Sequence, residues 1–460
     1  MPESKFDCVV VGSGPGGYVA AIRAAQLGMK TAVIEKENVG GRCLNEACIP
    51  AKAILRVAEV MTEVEHADQF GISVKDAKLD WKGAAQHRDK VVKTLTSGVG
   101  GLFKKNKVEL IEGQGALTED GNVRIGAQKD GQEIEAGKVV LACGSVAKPL
   151  LDLEFGGRVL DTAAMWLFGE QPKRLCVIGA GASGVEVASA LGRLGTEVLL
   201  LEALDQILPL EDEEISKACA REVQKQNVRI ETGAKVESAE PSDKSVKVSF
   251  NDETEEFDYL CIAAGRGADV EGLGLEDAGI ERDDRGLVKV DGHLRTSREG
   301  VWAIGDMVPG PALAHKASDE GIIAVEDAAG QDPHPIDYRF VPAVTFCHPQ
   351  VASFGMTEKE ARDEGYDVVV GKVPMGAVGA PTVYGDRGGM VKIVGDKKYG
   401  ELLGGHIVSV KAADLIQELV NAQILEGGFH EVARTIHPHP AFAEAVMEGA
   451  RATDGWLIHG

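Results

Sequence analysis

Two stretches of the chain repeat one pattern of apolar, glycine and polar positions. The first, residues 8–35, has a short apolar run, a glycine-rich turn, apolar residues at helical spacing and a second apolar run that ends in Glu35. The second, residues 176–202, has the same order and ends in Glu202. Short apolar runs bounded by glycine are typical of buried strands, and the periodic stretch between them predicts a helix. The pattern therefore predicts two similar β–turn–α–β units.

The glycines of the two stretches correspond position by position. The matching sets are Gly12, Gly14 and Gly17 in the first stretch and Gly179, Gly181 and Gly184 in the second. Glycines at this spacing let the backbone approach a pyrophosphate at a helix N-terminus, and the acid that ends the second strand accepts hydrogen bonds from a ribose. A glycine-rich turn without a nucleotide is the alternative, but two matches in register disfavour it. We predict two adenine dinucleotide sites.

The residues after Glu202 bear on the choice between NAD and NADP. The sequence continues ALDQIL, with no arginine to receive a 2′-phosphate. A free 2′-hydroxyl is therefore favoured at the second site, which predicts NAD. Farther along, residues 266–298 are rich in loop formers, and the chain beyond about residue 340 mixes strand and helix patterns. That last part predicts an α+β domain.

The composition is that of a globular protein with a strongly acidic surface. Of 460 residues, 44% are hydrophobic and 26% charged, and the formal net charge is −23. Such a charge repels nucleic acid and anionic membranes, so we expect neither as a partner. The first residues lack the pattern of a signal peptide, and no apolar run approaches the length of a spanning helix. We therefore expect a cytoplasmic protein.

Two of the eight cysteines, Cys43 and Cys48, lie close together, just beyond the first glycine pattern and at the start of a predicted helix. In a regular helix their Cα atoms would be about 8–9 Å apart, beyond the limit for a disulfide, so a bridge requires a distorted turn. A strained disulfide at a helix N-terminus is easily reduced. Two unpaired core cysteines and half of a metal site are the alternatives; no second Cys/His pair supports the metal site, and we predict none.

The segment GGRCLNEACIPAK resembles the redox loop of the flavoprotein disulfide reductases, whose usual form is GGTCLNVGCIPSK. The resemblance covers essentially the whole chain through LACGS (Leu141–Ser145), AAGR (Ala263–Arg266), TSREGVWAIGD (Thr296–Asp306) and LAHKASDEG (Leu313–Gly321). It implies FAD at the first dinucleotide site and NAD at the second. It also adds four cofactor-binding residues, which are Gly144, Gly265, Asp306 and Ala314.

The resemblance also implies individual roles. Cys43 would exchange with the substrate, and Cys48 would face the flavin. Lys52 matches the lysine near the flavin N5, and Glu186 matches its acidic partner; an exposed lysine and a helix-surface glutamate are the alternatives. Arg42 replaces a threonine of the usual motif, and Glu46 and Ala47 replace Val-Gly. A cation beside one thiolate and an anion beside the other could alter the redox potential or the choice of substrate.

The C-terminal segment IHPHPAFAEAV resembles the HxHPTxSE element of the members that oxidise dihydrolipoyl groups. By this match His439 is the acid/base and Glu444 orients it, and the pair serves the active site of the other subunit, which implies a homodimer. We predict a cis peptide between His439 and Pro440. A rigid surface turn or a metal-binding pair are the other interpretations of the two histidines. No cysteine follows Cys347, which disfavours family members with a C-terminal cysteine pair or redox tail.

The predicted fold class is α/β, with two Rossmann-like dinucleotide-binding domains for FAD and NAD and a C-terminal α+β dimerisation domain. The predicted segments are an FAD domain with the redox cysteines (1–148), an NAD domain (149–268), a central segment that completes the FAD site (269–339) and an interface domain (340–460). The predicted reaction is NAD-dependent oxidation of a dihydrolipoyl group on a separate carrier protein. Reduction of another disulfide, and a flavin-binding structural subunit with vestigial turnover, are the alternatives.

Overall fold

The structure is a computed structural model of the chain, and it describes residues 5–126 and 131–460. The first twelve strands are β1 (Lys5–Phe6), β2 (Cys8–Val11), β3 (Thr31–Glu35), β4 (Glu109–Glu112), β5 (Gly115–Leu117), β6 (Val123–Ile125), β7 (Gln132–Ala136), β8 (Val139–Leu141), β9 (Ser145–Ala147), β10 (Val159–Asp161), β11 (Arg174–Ile178) and β12 (Glu197–Leu201). The others are β13 (Val228–Glu231), β14 (Val236–Pro241), β15 (Val246–Phe250), β16 (Glu253–Phe257), β17 (Tyr259–Ile262), β18 (Arg266–Ala268), β19 (Val301–Ala303), β20 (Ala343–Thr345), β21 (Gln350–Gly355), β22 (Val368–Pro374), β23 (Met390–Asp396) and β24 (Leu402–Ser409).

The α-helices are α1 (Pro15–Gln26), α2 (Gly41–Asn45), α3 (Cys48–Glu65), α4 (Trp81–Asn106), α5 (Thr162–Trp166), α6 (Ala182–Arg193), α7 (Glu213–Val223), α8 (Ala314–Ala328), α9 (Glu358–Asp363), α10 (Gly379–Val383), α11 (Ala412–Ile424), α12 (Phe429–Arg434) and α13 (Glu444–Thr453). Among the described residues, no helix is both long enough and apolar enough to cross a membrane.

The chain divides into two compact units. The first contains the residues up to Pro50, then Gln86–Lys148 and Gly265–Tyr338. Its main sheet is parallel, with strand order β19-β8-β2-β3-β4. Strand β2 is buried along its whole length, as expected for a central strand with both faces covered. A four-stranded sheet, β1-β7-β6-β5, and the two-stranded pair β18-β9 complete this unit.

The second unit contains Ala51–Ala85, Pro149–Ala264 and the chain from Arg339 onward. Its parallel sheet has the order β10-β17-β11-β12-β13. Between β13 and β17 the chain forms a separate antiparallel sheet, β14-β15-β16. The C-terminal part forms a five-stranded antiparallel sheet, β20-β21-β24-β23-β22. Helices α11 and α13 lie against this sheet through buried apolar faces that include Leu419 and Val446.

The predicted elements are confirmed. Both β–turn–α–β units are present, as β2-α1-β3 and β11-α6-β12, and in each the two strands pair in parallel. The region after residue 340 contains both strands and helices, and its strands form a sheet of their own, as the α+β prediction required. The α/β fold class is also confirmed. The structure separates the chain into two units, and the predicted four-segment boundaries stay a prediction.

Candidate active site

The first glycine turn joins β2 to α1 in the first unit. Gly12 has φ +99°, a left-handed conformation that favours glycine. A Cβ on Gly17 would stand 2.0 Å from the Gly12 carbonyl oxygen, so the helix approaches the turn at a distance that only glycine allows. Helix α1 has Gly14 at its N-cap and no side-chain cap. Its first amide groups are thus available to an anion, which fits a dinucleotide pyrophosphate.

The carboxylate of Glu35 is fixed at the end of β3 beside this turn. Its Oε2 accepts hydrogen bonds from the Ser13 amide at 2.9 Å and the Ser13 hydroxyl at 2.6 Å, while Oε1 accepts from the Glu37 amide at 2.9 Å. The Ser13 hydroxyl oxygen also accepts a hydrogen bond from Gly40, which leads into the cysteine segment. This geometry is compatible with the predicted role of Glu35 in binding a ribose, which stays a prediction, and the sequence did not indicate the support from Ser13.

A second helix N-terminus belongs to the same unit. Helix α8 begins at Ala314 and has no side-chain cap at Leu313. It packs backbone to backbone against α1, since a Cβ on Gly321 would meet the Gly16 carbonyl oxygen at 2.6 Å. The close contact explains why LAHKASDEG must end in glycine. The first unit thus has two helix N-termini without side-chain caps, those of α1 and α8, which suits a ligand with two phosphates.

Asp306 and the two remaining glycines lie around β9 and β18. Asp306 accepts a short hydrogen bond from the Ser145 hydroxyl, which itself accepts one from the Arg266 guanidinium at 2.9 Å. Gly144 and Gly265 have φ +79° and +123°, and a Cβ on either would meet no atom within 4 Å. These positions require glycine for their backbone conformation alone. The residues of the first unit thus fit the FAD that the resemblance implies.

Cys43 and Cys48 belong to the first unit and lie on two successive helices. Helix α2 contains Cys43 and follows Gly40, which has φ +92°, and α3 begins at Cys48. The chain leaves helical geometry between them, and the Ala47 amide donates to the Arg42 carbonyl at 3.0 Å. The two cysteines form a near-disulfide pair and are partly exposed. The predicted distortion is thus a break between two helices.

The second glycine turn, in the second unit, repeats the main backbone contacts of the first. A Cβ on Gly184 would stand 1.9 Å from the Gly179 carbonyl oxygen, and α6 has Gly181 at its N-cap without a side-chain cap. Glu202 accepts hydrogen bonds from the Ala180 amide at 2.7 Å and the Leu204 amide at 3.0 Å. Since both carboxylate oxygens keep further lone pairs, the site fits a nucleotide ribose with free hydroxyls. These residues fit NAD.

Lys52 and Glu186 meet in the second unit. The Lys52 ammonium donates to both carboxylate oxygens of Glu186 at 3.0 Å. The ammonium also lies 4.4 Å from the centre of the Phe346 ring, and the Phe346 amide donates to Glu186 Oε1 at 2.9 Å. Phe346 thus holds both members of the pair. Nothing in the sequence pattern singled it out, because its contacts join residues 160 positions apart.

His439 and Glu444 form the predicted pair. His439 Nδ1 lies 2.9 Å from Glu444 Oε1, and the other carboxylate oxygen accepts from the Ala441 amide at 2.9 Å. Partial burial works to raise the pKa of Glu444, but the hydrogen bond from Ala441 and the pairing with His439 outweigh it, and the pKa is lowered. The His439 side chain is 76% exposed, so its other nitrogen is open to an incoming molecule. The predicted cis peptide between His439 and Pro440 is confirmed.

The neighbouring His437 has a different environment. Its side chain is only 5% exposed, with Nε2 2.6 Å from Glu418 and Nδ1 2.9 Å from the Thr435 carbonyl oxygen. The hydrogen bond to Glu418 is the main reason that its pKa is raised. Both ring nitrogens are therefore occupied within the chain. Of the two histidines in HPHP, only His439 offers a nitrogen to a substrate.

A buried polar cluster in the second unit was not expected from the sequence. The Lys392 ammonium bonds Asp212 and Glu358 at 2.9 Å and Glu214 at 2.7 Å. Burial works to lower the pKa of Lys392, but these three carboxylates raise it to about 12. The sequence feature that could have indicated this cluster is the acidic run EDEE, residues 211–214. Such a run alone is more typical of a solvated surface.

Two polar atoms beside this cluster are buried without a hydrogen-bond partner in the described structure, Glu211 Oε2 and His406 Nδ1. Glu211 Oε1 accepts a hydrogen bond from Ser353 at 3.0 Å, and Ser353 is the cross-strand neighbour of His406. Burial raises the pKa of Glu211 to about 7. Burial also lowers the pKa of His406. Both groups are thus favoured in their neutral forms.

Comparisons with known proteins agree with this geometry. Residues 6–321 match the family model described as pyridine nucleotide-disulphide oxidoreductase, and residues 341–450 match its dimerisation domain. A dihydrolipoyl dehydrogenase of Bacillus subtilis is 40% identical over 99% of this chain and 98% of its own length. The enzyme of the same name from Geobacillus stearothermophilus is 40% identical over 99% and 97%.

Two solved structures share the fold over nearly the whole chain. LpdA from Mycobacterium tuberculosis has a TM-score of 0.90 at 26% identity, with 98% of this chain and 99% of that chain covered. The HOCl-induced flavoprotein disulfide reductase RclA from Escherichia coli has a TM-score of 0.87 at 27% identity, with 96% and 99% covered.

Proposed function

We propose that this chain, which belongs to the pyridine nucleotide-disulphide oxidoreductase family, oxidises dihydrolipoyl groups to lipoyl groups with NAD as the electron acceptor. The enzyme is an NAD- and FAD-dependent oxidoreductase. The observation that carries the proposal is the Cys43–Cys48 pair in a chain that is about 40% identical, over its full length, to proteins named dihydrolipoyl dehydrogenase.

The two glycine turns supply the cofactor sites of this proposal. In the first unit, the amides at the start of α1 and α8, with Glu35 and Asp306, would hold FAD. In the second unit, the amides at the start of α6 and the carboxylate of Glu202 would hold NAD. When bound, FAD supplies a two-electron carrier between the cysteine pair and NAD.

The cysteines and the histidine carry out the thiol chemistry. A sulfur of the dihydrolipoyl dithiol attacks Cys43, the Cys43–Cys48 bond breaks, and Cys48 leaves as a thiolate. The second substrate sulfur then displaces Cys43, which closes the lipoyl disulfide and leaves the cysteines reduced. His439 accepts the proton of the attacking thiol at Nε2, and the proton of the second thiol passes to the Cys43 sulfur as it leaves. Glu444 accepts a hydrogen bond from Nδ1, which fixes the tautomer that leaves Nε2 as the acceptor.

Lys52 and Glu186 serve as a positioning pair in this proposal. The contact with Glu186 and the Phe346 ring limits the rotamers available to the long lysine side chain. A fixed cation placed near the flavin would favour negative charge that develops on the ring. Glu186 therefore positions Lys52 and does not itself meet the substrate.

Partners and location complete the proposal. The dimerisation-domain match supports a homodimer, in which His439 of each chain would serve the cysteine pair of the other. The dihydrolipoyl group would be carried by a separate lipoylated protein of a 2-oxoacid dehydrogenase complex, of the glycine cleavage system or of another lipoate-dependent system. A reducing cytoplasm suits a chain whose buried Cys8, Cys176 and Cys261 are thiols.

The visible spectrum of the purified enzyme tests the proposal directly. The protein should be yellow, and addition of dithiothreitol or NADH should turn it orange or red as the Cys48 thiolate forms a charge-transfer pair with the flavin. Cys48→Ser should stay yellow, whereas Cys43→Ser should keep a thiolate at Cys48. A colourless protein that takes up no flavin would refute the assignment.

A second candidate function is reduction of another disulfide with NADH. Arg42 and Glu46 depart from the usual redox loop and support this second candidate function. The structural similarity to RclA supports it as well. Turnover with lipoamide, several lipoylated carriers, glutathione disulfide and a protein disulfide distinguishes the two. The proposed function requires the highest kcat/KM for a lipoyl substrate.

A further inference from the structure

A second pair of cysteines lies in the second unit, separate from Cys43 and Cys48 in both sequence and unit. Cys219 belongs to α7, and Cys347 follows β20. Their Sγ atoms are 3.7 Å apart, and the residues are 0% and 3% exposed. A disulfide bond is about 2.05 Å long, so the two sulfurs need to approach by less than about 2 Å to bond. They are already in van der Waals contact.

The pair joins two segments that are 128 positions apart in sequence. Cys219 lies in the apolar core beneath the parallel sheet of the second unit, together with Ile215 and Val223 of the same helix. Cys347 directly follows Phe346, the residue that supports the Lys52–Glu186 contact. A bond between the two sulfurs would therefore fasten α7 to the segment between β20 and β21.

Another pair of buried cysteines in the same unit shows that proximity in the fold is not enough. Cys176 and Cys261 lie on the adjacent strands β11 and β17, but the register pairs Cys176 with Leu260 and Cys261 with Val177. Since side chains alternate along a strand, the two sulfurs point to opposite faces of the sheet. They belong to different hydrophobic clusters accordingly. These cysteines cannot bridge, and they provide a matched control.

We propose that Cys219 and Cys347 form a second thiol–disulfide pair. The two residues remain thiols during turnover and form a disulfide when the enzyme is exposed to hydrogen peroxide. One sulfur attacks a peroxide oxygen, the O–O bond breaks, and the products are a sulfenic acid and water, which carries the first thiol proton. The other sulfur then attacks the sulfenic sulfur and expels its hydroxyl as a second water with the second thiol proton. The two sulfurs lose two electrons, and the peroxide gains them.

The surroundings of the pair predict a slow reaction. The hydrogen bond to Cys219, together with burial, holds the pKa of Cys347 well above its ordinary value. Because the thiolate is the reactive form, little of Cys347 is reactive at neutral pH. The pair should stay reduced during ordinary handling and close only on sustained exposure. Once one sulfur is oxidised, the other is in contact with it, so condensation competes well with further oxidation.

Peptide mapping of the full-length holoenzyme tests this proposal. The enzyme is treated with hydrogen peroxide, denatured in iodoacetamide, digested and analysed by mass spectrometry. We expect a cross-linked peptide that joins Cys219 to Cys347 and disappears after dithiothreitol treatment. In a sample that is first reduced with dithiothreitol and desalted without oxygen, re-formation of the Cys43–Cys48 bridge shows that the peroxide acted, and a peptide that joins Cys176 to Cys261 should not form.

Two variants make the result decisive. Cys219→Ser should lose the cross-link and the accompanying rise in the thermal unfolding midpoint, which follows because a bond across 128 positions constrains the unfolded chain. Cys176→Ser should keep both. The proposal is overturned if Cys219 and Cys347 are recovered alkylated, or as sulfinic acids without a cross-link, in digests where Cys43 and Cys48 are bridged. It is equally overturned if peroxide raises the midpoint of Cys219→Ser as much as that of the wild type.

Discussion

At the scale of single residues, the same His–Glu contact occurs in two different environments. His439 and Glu444 are 2.9 Å apart with the imidazole largely exposed, while His437 and Glu418 are 2.6 Å apart with the imidazole buried. In the first pair the second ring nitrogen lies on an exposed side chain. In the second pair the Thr435 carbonyl occupies it. The motif alone could not distinguish the two histidines, because the burial of each ring depends on the tertiary structure.

Glu444→Gln should lower kcat for dihydrolipoamide oxidation by about 100-fold, the usual worth of general-base assistance. The amide cannot stabilise the imidazolium that forms when His439 accepts a proton. Glu418→Gln, at the matched pair with His437, should change kcat by less than about threefold. Steady-state kinetics with free dihydrolipoamide measures both.

Glu211→Gln should make the stability of the protein less dependent on pH. Burial raises the pKa of Glu211 from 4.5 to about 7, so its protonated form stabilises the fold below pH 4.5, and that contribution is lost as the pH rises to 7. The neutral glutamine should therefore increase the free energy of unfolding at pH 8 by up to about 3 kcal/mol, with a difference that shrinks toward pH 4.5.

Urea unfolding at several pH values checks this prediction. The lowered pKa of His406 acts in the opposite direction, with stability lost as the pH falls, but it is common to both proteins and largely cancels. Glu213→Gln, an exposed change two positions away, should alter stability by less than about 0.5 kcal/mol at every pH. A constant difference between Glu211→Gln and wild type from pH 5 to 8 would contradict the assignment.

At the scale of elements, the two β–turn–α units could be predicted because their requirements are local. Each glycine serves a turn or a backbone contact within a few residues, so the sequence alone contains the constraint. The contacts of Phe346 with Glu186, and of Ser353 with Glu211, join elements that are far apart in sequence. No periodicity or spacing marks them. The Lys52–Glu186 contact was anticipated only through the family resemblance.

Gly184→Ala and Gly181→Ala should separate the two uses of glycine in the NAD turn. The new Cβ of the first would lie 1.9 Å from the Gly179 carbonyl oxygen, whereas that of the second would meet nothing within 4 Å. Gly184→Ala should therefore cost about 1–3 kcal/mol of folding free energy as well as NAD affinity. Gly181→Ala should keep the wild-type unfolding midpoint and weaken NAD binding by about tenfold.

Calorimetric unfolding and titration with NAD measure the two effects. The retained flavin absorbance provides the control, because neither variant alters the first turn. Equal loss of stability in both variants would show that the distinction drawn from the Cβ contacts is wrong.

At the scale of the whole molecule, the sequence indicated which parts of the chain belong together. The segment TSREGVWAIGD provides β19, which pairs in parallel with β8 and extends the first sheet. The family resemblance predicted that this segment completes the FAD site, but the pairing of β19 with β8, across a long insertion that belongs to the second unit, was not predicted. The division into two units of three segments each was not anticipated, since contact density depends on packing that a linear reading cannot supply.

Mixed dimers test the proposed sharing of the active site. Neither Cys43→Ser nor His439→Ala should be active alone. After subunit exchange, half of the dimers are mixed and each has one complete site, so the mixture should recover about a quarter of wild-type activity. Lipoamide turnover before and after exchange is the measurement. No recovery, with exchange verified by mass spectrometry of the dimers, would mean that each chain uses its own histidine.

The repeated turn also provides an internal standard. Ser13 and Ala180 hold equivalent carboxylates through equivalent amides, and they differ by one hydroxyl oxygen. Because both turns belong to one polypeptide chain, they are always present at the same concentration and in the same sample. Any difference in how firmly they keep their nucleotides therefore comes from the two turns and from the two different dinucleotides, and not from differences between separate protein preparations.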